Sequence, residues 1–218
     1  MKHTAAVLAL LAPLGSLGAQ PTADSWRARV STMMRDTVLA NGLTVVVAEK
    51  HTTPLATIEV TFRTGAVAQK PGEEGIAHLL EHVLFRSYGE EGEFAGDVAN
   101  LNGTYNGTTG EEQVNYWITV PSKEAVNAVR VIAKLVRNST FRSRELNSEK
   151  RIVVDELARN SSDAGSRLPH LVGSRLWGDD WTRKNPGGTR ESVEAVKLER
   201  LQALYAEQYV PANAAIVV

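Results

Sequence analysis

The stretch GIAHLLEHVLF, residues 75–85, places two histidines and one glutamate inside an otherwise apolar run. Residues i and i+4 of an α-helix project from the same face, so His78 and His82 are positioned to bind one metal ion. Imidazole is the commonest neutral nitrogen ligand of zinc. Glu81 borders the same face and is suited to deprotonate a water molecule held by the metal. The order H-x-x-E-H reverses the zinc-binding motif H-E-x-x-H.

A catalytic zinc site needs a third protein ligand and one open position. The segment RELNSEKRIVVDELAR predicts a helix on which Glu149 and Glu156 share one face, two turns apart. Ile152 and Val153 lie between them, so this face is predicted to point inward. A buried carboxylate requires a cation or another strong partner. A metal held by the two histidines would supply that cation.

A second interpretation of the motif needs no metal. H-x-x-E-H occurs by chance on many helices, where the histidines are hydrogen-bonded core residues and the glutamate is exposed. Three features favour the metal site: a strand and a glycine-containing loop precede the motif, apolar residues surround it, and a helix with paired carboxylates follows at long range.

The elements that must position these residues alternate between strands and helices. Strands are predicted over residues 36–50 (a hairpin with an Asn41-Gly42 turn), 55–65, 112–120 and 214–218. Helices are predicted over residues 74–87, 94–101, 121–138, 143–163 and 166–177. NPGGTRESVEAV is predicted as a loop followed by a helix that runs on through LERLQALYAEQY. The segment NGTYNGTTG is predicted as a turn or an irregular edge. This pattern indicates a mixed α+β fold.

The composition excludes several kinds of site. The chain of 218 residues is 43% hydrophobic, which is enough for a sizeable core, and it has a net charge of −1. The chain has no excess of basic residues that would indicate a nucleic-acid partner. The chain has no cysteine, so a disulfide framework, a thiolate nucleophile and a cysteine zinc site are excluded. Any metal must be held by His, Asp or Glu.

The N-terminal segment has the pattern of a secretory signal. Residues 1–20 combine a basic start, a short apolar run and small residues, which predicts a signal peptide. Residues 21–34 are predicted to be an irregular leader, and residues 35–218 one domain that ends within its last strand. No segment reaches the ~20 apolar residues of a membrane span. The mature chain is therefore expected to be exported to the periplasm or the extracellular space.

Together these residues resemble the insulinase or pitrilysin-type zinc peptidases, a family that includes mitochondrial processing peptidase. The resemblance covers nearly all of the mature chain, from LANGLTVVV to YVPANAAIVV. The ordered set of motifs that carries it is Asn41-Gly42-Leu43, Gly75 through Phe85, Asn106 with Tyr116, Glu149 with Glu156, and Tyr209-Pro211-Asn213. The implied fold is a mostly antiparallel sheet packed against helices, like that of mitochondrial processing peptidase.

The resemblance also implies roles for the site residues. His78, His82 and Glu156 match the ligands of a single zinc ion, and Glu81 matches the general base. Glu149 matches a glutamate that supports the site. Asn106 matches a residue near the substrate and the catalytic water.

The implied activity is that of a secreted zinc endopeptidase, in which a zinc-activated water hydrolyses short or unfolded peptides. NGTYNGTTG is then either a peptide-pairing edge or a plain loop. The family works as two homologous halves around the peptide, and this chain matches the first, metal-bearing domain. Two alternatives follow: a non-catalytic scaffold member, or a catalytic half that is inert without a second homologous half.

Overall fold

The computed structural model describes residues 33–89, 93–137, 139–178, 180 and 185–218. The predicted signal peptide and all of the predicted leader up to residue 32 lie outside these residues. Within them, no helix combines the length and the apolar character that a membrane span requires.

The described residues form strands first and mostly helices later. The strands are β1 (Met34–Val38), β2 (Thr44–Ala48), β3 (Leu55–Phe62), β4 (Thr104–Thr109), β5 (Val114–Pro121) and β6 (Ala214–Val217). The helices are α1 (Ile76–Arg86), α2 (Glu93–Asn100), α3 (Ala125–Arg137), α4 (Ser143–Ser162), α5 (Ala164–Trp177), α6 (Arg190–Ala195) and α7 (Leu198–Gln208).

All six of these strands belong to one sheet with the order β1-β2-β6-β3-β5-β4. The β2–β6 pair is parallel, and every other neighbouring pair is antiparallel. The predicted α+β class, with a mostly antiparallel sheet packed against helices, is confirmed. The hairpin of β1 and β2 is confirmed as well, and Gly42 in its turn has a φ of 86°, which glycine adopts without strain.

The core lies between the central strands and the helices. Alternate residues of β3 and β5 are buried, as expected for strands with one covered face. Ile58 and Tyr116 on these strands, and Leu80 and Leu84 on α1, are at most 1% exposed. Burial of this apolar surface fixes α1 against the sheet, and α4 packs against α1.

The segment NGTYNGTTG is a strand and not a turn or an irregular edge. β4 pairs along its whole length with β5, from Thr104 opposite Thr119 to Thr109 opposite Val114. Its glycine and asparagine residues favour turns locally, but pairing with a buried neighbouring strand outweighs that preference. β4 is the last strand of the sheet, so the prediction of an edge was right and that of irregular structure was wrong.

The helix that was predicted to follow the loop in NPGGTRESVEAV and to run on through LERLQALYAEQY is two helices. Thr189 caps the start of α6, where its Oγ1 accepts a hydrogen bond of 3.1 Å from the backbone N–H of Ser192. Val196 and Lys197 then leave the helical conformation, with ψ angles of 128° and 150°. The break separates α6 from α7 and lets each pack independently.

Candidate metal centre

The start of α1 is held by close packing of two loops. Gly75 precedes α1 with a φ of 89°, and its N–H donates a 2.8 Å hydrogen bond to Oε1 of Gln69. Oγ of Ser192 donates to the carbonyl oxygen of Glu74 at 2.6 Å. A Cβ at Gly188 would lie 2.2 Å from that same carbonyl oxygen, so only glycine permits the approach. The loop before the histidines is thereby fixed against residues 187–192.

His78, His82 and Glu156 converge although they come from two helices. The Nε2 atoms of His78 and His82 lie 3.2 Å apart. Oε2 of Glu156 lies 3.8 Å from Nε2 of His78 and 3.5 Å from Nε2 of His82. One donor atom from each of the three side chains lies within 4.8 Å of the others, so the group is able to hold one metal ion.

The donor set fits zinc. Ligands at about 2.0–2.2 Å from a tetrahedral ion lie roughly 3.3–3.5 Å from one another. The three observed separations of 3.2, 3.5 and 3.8 Å bracket that value. Two imidazole nitrogens and one carboxylate oxygen are the ligands of a known catalytic zinc class, which leaves one position for water.

Glu149 determines the orientation of His82. Oε2 of Glu149 lies 3.3 Å from Nδ1 of His82, and because a carboxylate only accepts, Nδ1 carries the proton. The Nε2 atom of His82 then has its lone pair free for a metal. Nε of Arg86 donates to Oε1 of Glu149 at 3.0 Å, so this carboxylate, only 3% exposed, is fully paired.

The predicted inward face of α4 is partly confirmed. Glu149 and Val153 are buried, as expected. Ile152 is 37% exposed, so its predicted burial was wrong: it lines a cleft beside Glu149 instead of the core. Glu156 is half-buried at the centre itself.

Glu81 lies beside this donor set and is held from β4. Oγ1 of Thr109 donates a 2.7 Å hydrogen bond to Oε2 of Glu81. A Cβ at Gly107 would lie 2.7 Å from Oε1 of Glu81, so a larger residue here would displace the carboxylate. Sequence reasoning missed both residues, because only the register of β4 brings them to α1.

Burial and the neighbouring charged groups together determine the pKa shifts of the site. Burial raises the pKa of the Glu81 carboxyl, although the hydrogen bond from Thr109 opposes the shift. Burial, together with the neighbouring His82, lowers the pKa of His78 to about 4, which keeps the imidazole neutral as a metal ligand must be. Burial would also lower the pKa of His82, but the hydrogen bond with Glu149 and the nearby carboxylates outweigh it and raise the pKa.

Asn106 is exposed on β4 and lines the same cleft as Glu81 and Glu149. This cleft has a volume of about 330 Å³. Oδ1 of Asn106 accepts a 2.9 Å hydrogen bond from the N–H of Gly107. The structure thus brings Asn106 to the edge of the site, and its contact with a substrate stays a prediction.

The fold and the donor set define an α+β domain able to hold a metal between two helices. The chain belongs to the insulinase family (peptidase family M16), whose family model matches residues 44–184. A zinc protease of Rickettsia bellii is 27% identical to this chain over 175 residues. That alignment covers 78% of this chain but 42% of the relative, so the chain spans less than half of the relative's length.

Solved structures show the same fold. The first half of the periplasmic protease PqqL from Escherichia coli superposes with a TM-score of 0.76 at 20% identity, covering 85% of this chain and 42% of that one. A peptidase M16 inactive domain from Pseudomonas fluorescens superposes with a TM-score of 0.75 at 20% identity, covering 84% and 45%.

Proposed function

We propose that the chain is the metal-bearing domain of a zinc-dependent endopeptidase. In this proposal His78, His82 and Glu156 hold one zinc ion and Glu81 acts as the general base. The observation that supports it best is the convergence of three donor atoms within 4.8 Å beside a buried carboxylate.

Zinc at this position would supply the acidity of a bound water molecule and polarise the carbonyl of the scissile bond. Glu81 takes the proton of the attacking water and gives it to the leaving amine. Thr109 occupies Oε2 of Glu81 and leaves the second carboxylate oxygen for that proton. Glu149 positions His82 from its buried place on α4.

The substrate is a peptide that adds as a further strand to β4. Among the described strands, β4 has a neighbour on one side, so the other side offers backbone groups for pairing. Asn106 lies on this strand at the cleft of Glu81 and contacts the bound peptide. A peptide must be extended to bind in this way, which favours short or unfolded substrates.

The active enzyme is exported and includes a second homologous half. The sequence pattern of residues 1–20 and the likeness to a periplasmic protease support export. The match to the first half of that protease, and to less than half of the Rickettsia relative, supports a missing second half.

A scaffold member or an inert half is the second candidate. The observation that favours it is the equally close likeness to a domain described as inactive. A scaffold would bind peptide without cleaving it, whereas an inert half would bind zinc and gain cleavage when a homologous second half is added.

The deciding experiment is cleavage of a mixed library of short peptides by purified residues 21–218 loaded with zinc, measured both alone and with a homologous second half added. Glu81→Gln keeps the shape of the side chain and removes the base, so it should retain about one zinc per chain and lose turnover by orders of magnitude. Asp155→Asn, an exposed change on α4, is the matched control and should cleave like the wild type. Undiminished cleavage by Glu81→Gln would overturn the assignment of the base.

A further inference from the structure

A second, large cleft opens beside the metal centre, and Asn106 is not part of its lining. It has a volume of about 700 Å³, and its lining includes His78, Thr109 and Glu156. The other walls come from the end of α4, from α5 and from residues 185–190. A peptide whose scissile bond lies at the metal centre would therefore extend a neighbouring residue into this cleft.

The lining of this cleft carries an excess of positive charge. Arg167 on α5 and Arg190 at the start of α6 both line it. Among the acidic residues that the structure describes, Glu156 alone lines the cleft. Its carboxylate is one of the three groups of the metal centre. Any bound zinc ion would add to the positive charge.

Arg167 is the better placed of the two arginines to bind a ligand. Nη1 of Arg190 donates a 3.3 Å hydrogen bond to Oε1 of Glu194, so the charge of Arg190 is already partly paired. The guanidinium of Arg167 has no hydrogen-bond or ion-pair partner among the described residues. An arginine fork matches the two oxygens of a carboxylate, and such charge-assisted pairs are the strong ones.

The rest of the lining suits a short acidic side chain. Leu157 and Leu171 offer apolar surface for methylene groups, while the side-chain amide of Asn160 offers a neutral hydrogen-bond donor. A basic side chain in the same place would meet two arginines and lose its hydration without gaining a partner.

We propose that this cleft is a recognition subsite for a carboxylate of the bound peptide, held chiefly by Arg167 and secondarily by Arg190. The ligand is an Asp or Glu side chain next to the scissile bond or the peptide's C-terminal carboxylate. The inference rests on the proposed function, since it takes the bound molecule to be a peptide lying across the metal centre.

The test is peptide binding to the Glu81→Gln chain, which prevents cleavage. One Glu is moved through each position of a short labelled peptide, and each version is compared with its Gln counterpart by fluorescence anisotropy. A matched pair with a free or an amidated C-terminus separates the two sources of the carboxylate. We expect at least one carboxylate peptide to bind about tenfold more tightly than its neutral partner.

Arg167→Gln should remove most of that preference and leave the affinity for the neutral peptide unchanged. Arg151→Gln, which removes an exposed arginine of α4 outside the cleft, is the control and should keep the preference. Equal affinity at every position, a preference that Arg167→Gln leaves undiminished, or no detectable binding of any peptide would each overturn the proposal.

Each measurement is repeated with and without zinc, because a carboxylate also binds zinc directly. A preference that needs zinc and ignores Arg167→Gln belongs to the metal and counts against the subsite. A preference that persists without zinc, when the wild type also never cleaves, supports the subsite while the proposed peptidase activity fails. Cleavage by the wild type with no preference for carboxylates would support the peptidase activity and overturn the subsite.

Discussion

Nδ1 of His82 and Oε2 of Glu149 lie 3.3 Å apart, so a carboxylate of α4 fixes the tautomer of an imidazole on α1. Arg86 holds the other oxygen of the same carboxylate at 3.0 Å. A histidine held in this way presents Nε2 to a metal without having to reorient, and such outer partners strengthen metal binding.

Glu149→Gln should therefore weaken zinc binding by roughly 10–100-fold, because the amide cannot hold the His82 tautomer as the carboxylate does. A competition titration against a chromogenic chelator measures this affinity. Asp155→Asn, exposed on the same helix, should leave the affinity unchanged. Identical zinc affinity for Glu149→Gln and the wild type would show that Glu149 does not strengthen zinc binding.

Gly107→Ala tests the close approach of β4 to the proposed base. The new Cβ would lie 2.7 Å from Oε1 of Glu81 and 3.0 Å from Cε2 of Phe85, so the carboxylate must move. We expect the free energy of unfolding to fall by about 1–3 kcal/mol, and peptide turnover to fall with zinc binding retained. Chemical denaturation and zinc titration measure the two effects.

Gly96→Ala is the matched control for that change. Gly96 lies on the exposed side of α2, and a Cβ added there would have no atom of another residue within 4 Å among the described parts of the chain. Alanine favours a helix over glycine by about 0.5–1 kcal/mol, so this variant should be as stable as the wild type or more stable. Equal stability of the two glycine variants would contradict the proposed crowding at Gly107.

The sequence predicts the parts of the site that lie on a single helix. His78, Glu81 and His82 follow from helical spacing, and Glu149 with Glu156 from the same rule on α4. Helical geometry is local, so neighbours along the sequence determine which side chains share a face. The prediction that the two helices meet depends on the chemistry of buried carboxylates and on the family resemblance.

The sequence does not predict what β4 contributes. Thr109 reaches Glu81 only because β4 pairs with β5 in one register and packs against α1. Local composition favoured a turn there, and no local pattern reports a contact between residues 28 positions apart. The break at Val196 was missed for a related reason, because neither glycine nor proline marks it.

Thr109→Val removes the hydrogen bond to Glu81 while keeping the size of the side chain. The freed Oε2 then lacks its donor in a buried setting, so the carboxylate loses its fixed orientation. We expect kcat to fall by about tenfold with little change in KM, and Thr109→Ser, which keeps the hydroxyl, to restore most of it. Equal rates for the valine and serine variants would show that the hydroxyl plays no part.

Glu73→Gln tests the pair that joins the loop before α1 to α7. Nε and Nη2 of Arg200 donate to the two carboxylate oxygens of Glu73 at 2.7 and 3.0 Å. Both side chains are only 22% exposed, so loss of this bidentate pair should cost about 1–2 kcal/mol at pH 7. Glu194→Gln, in an exposed pair with Arg190, should cost less than about 0.5 kcal/mol.

The effect of Glu73→Gln should depend on pH in one direction. The hydrogen bond from Arg200 lowers the pKa of Glu73, so the unfolded chain takes up this proton at a higher pH than the folded chain. The stabilisation is complete above the ordinary carboxyl pKa and is lost as the pH falls through the lowered value. Urea unfolding at pH 7 and pH 3 should show the difference between wild type and variant shrinking at pH 3. A difference that stays constant or grows toward pH 3 would mean that the Glu73 charge does not stabilise the fold.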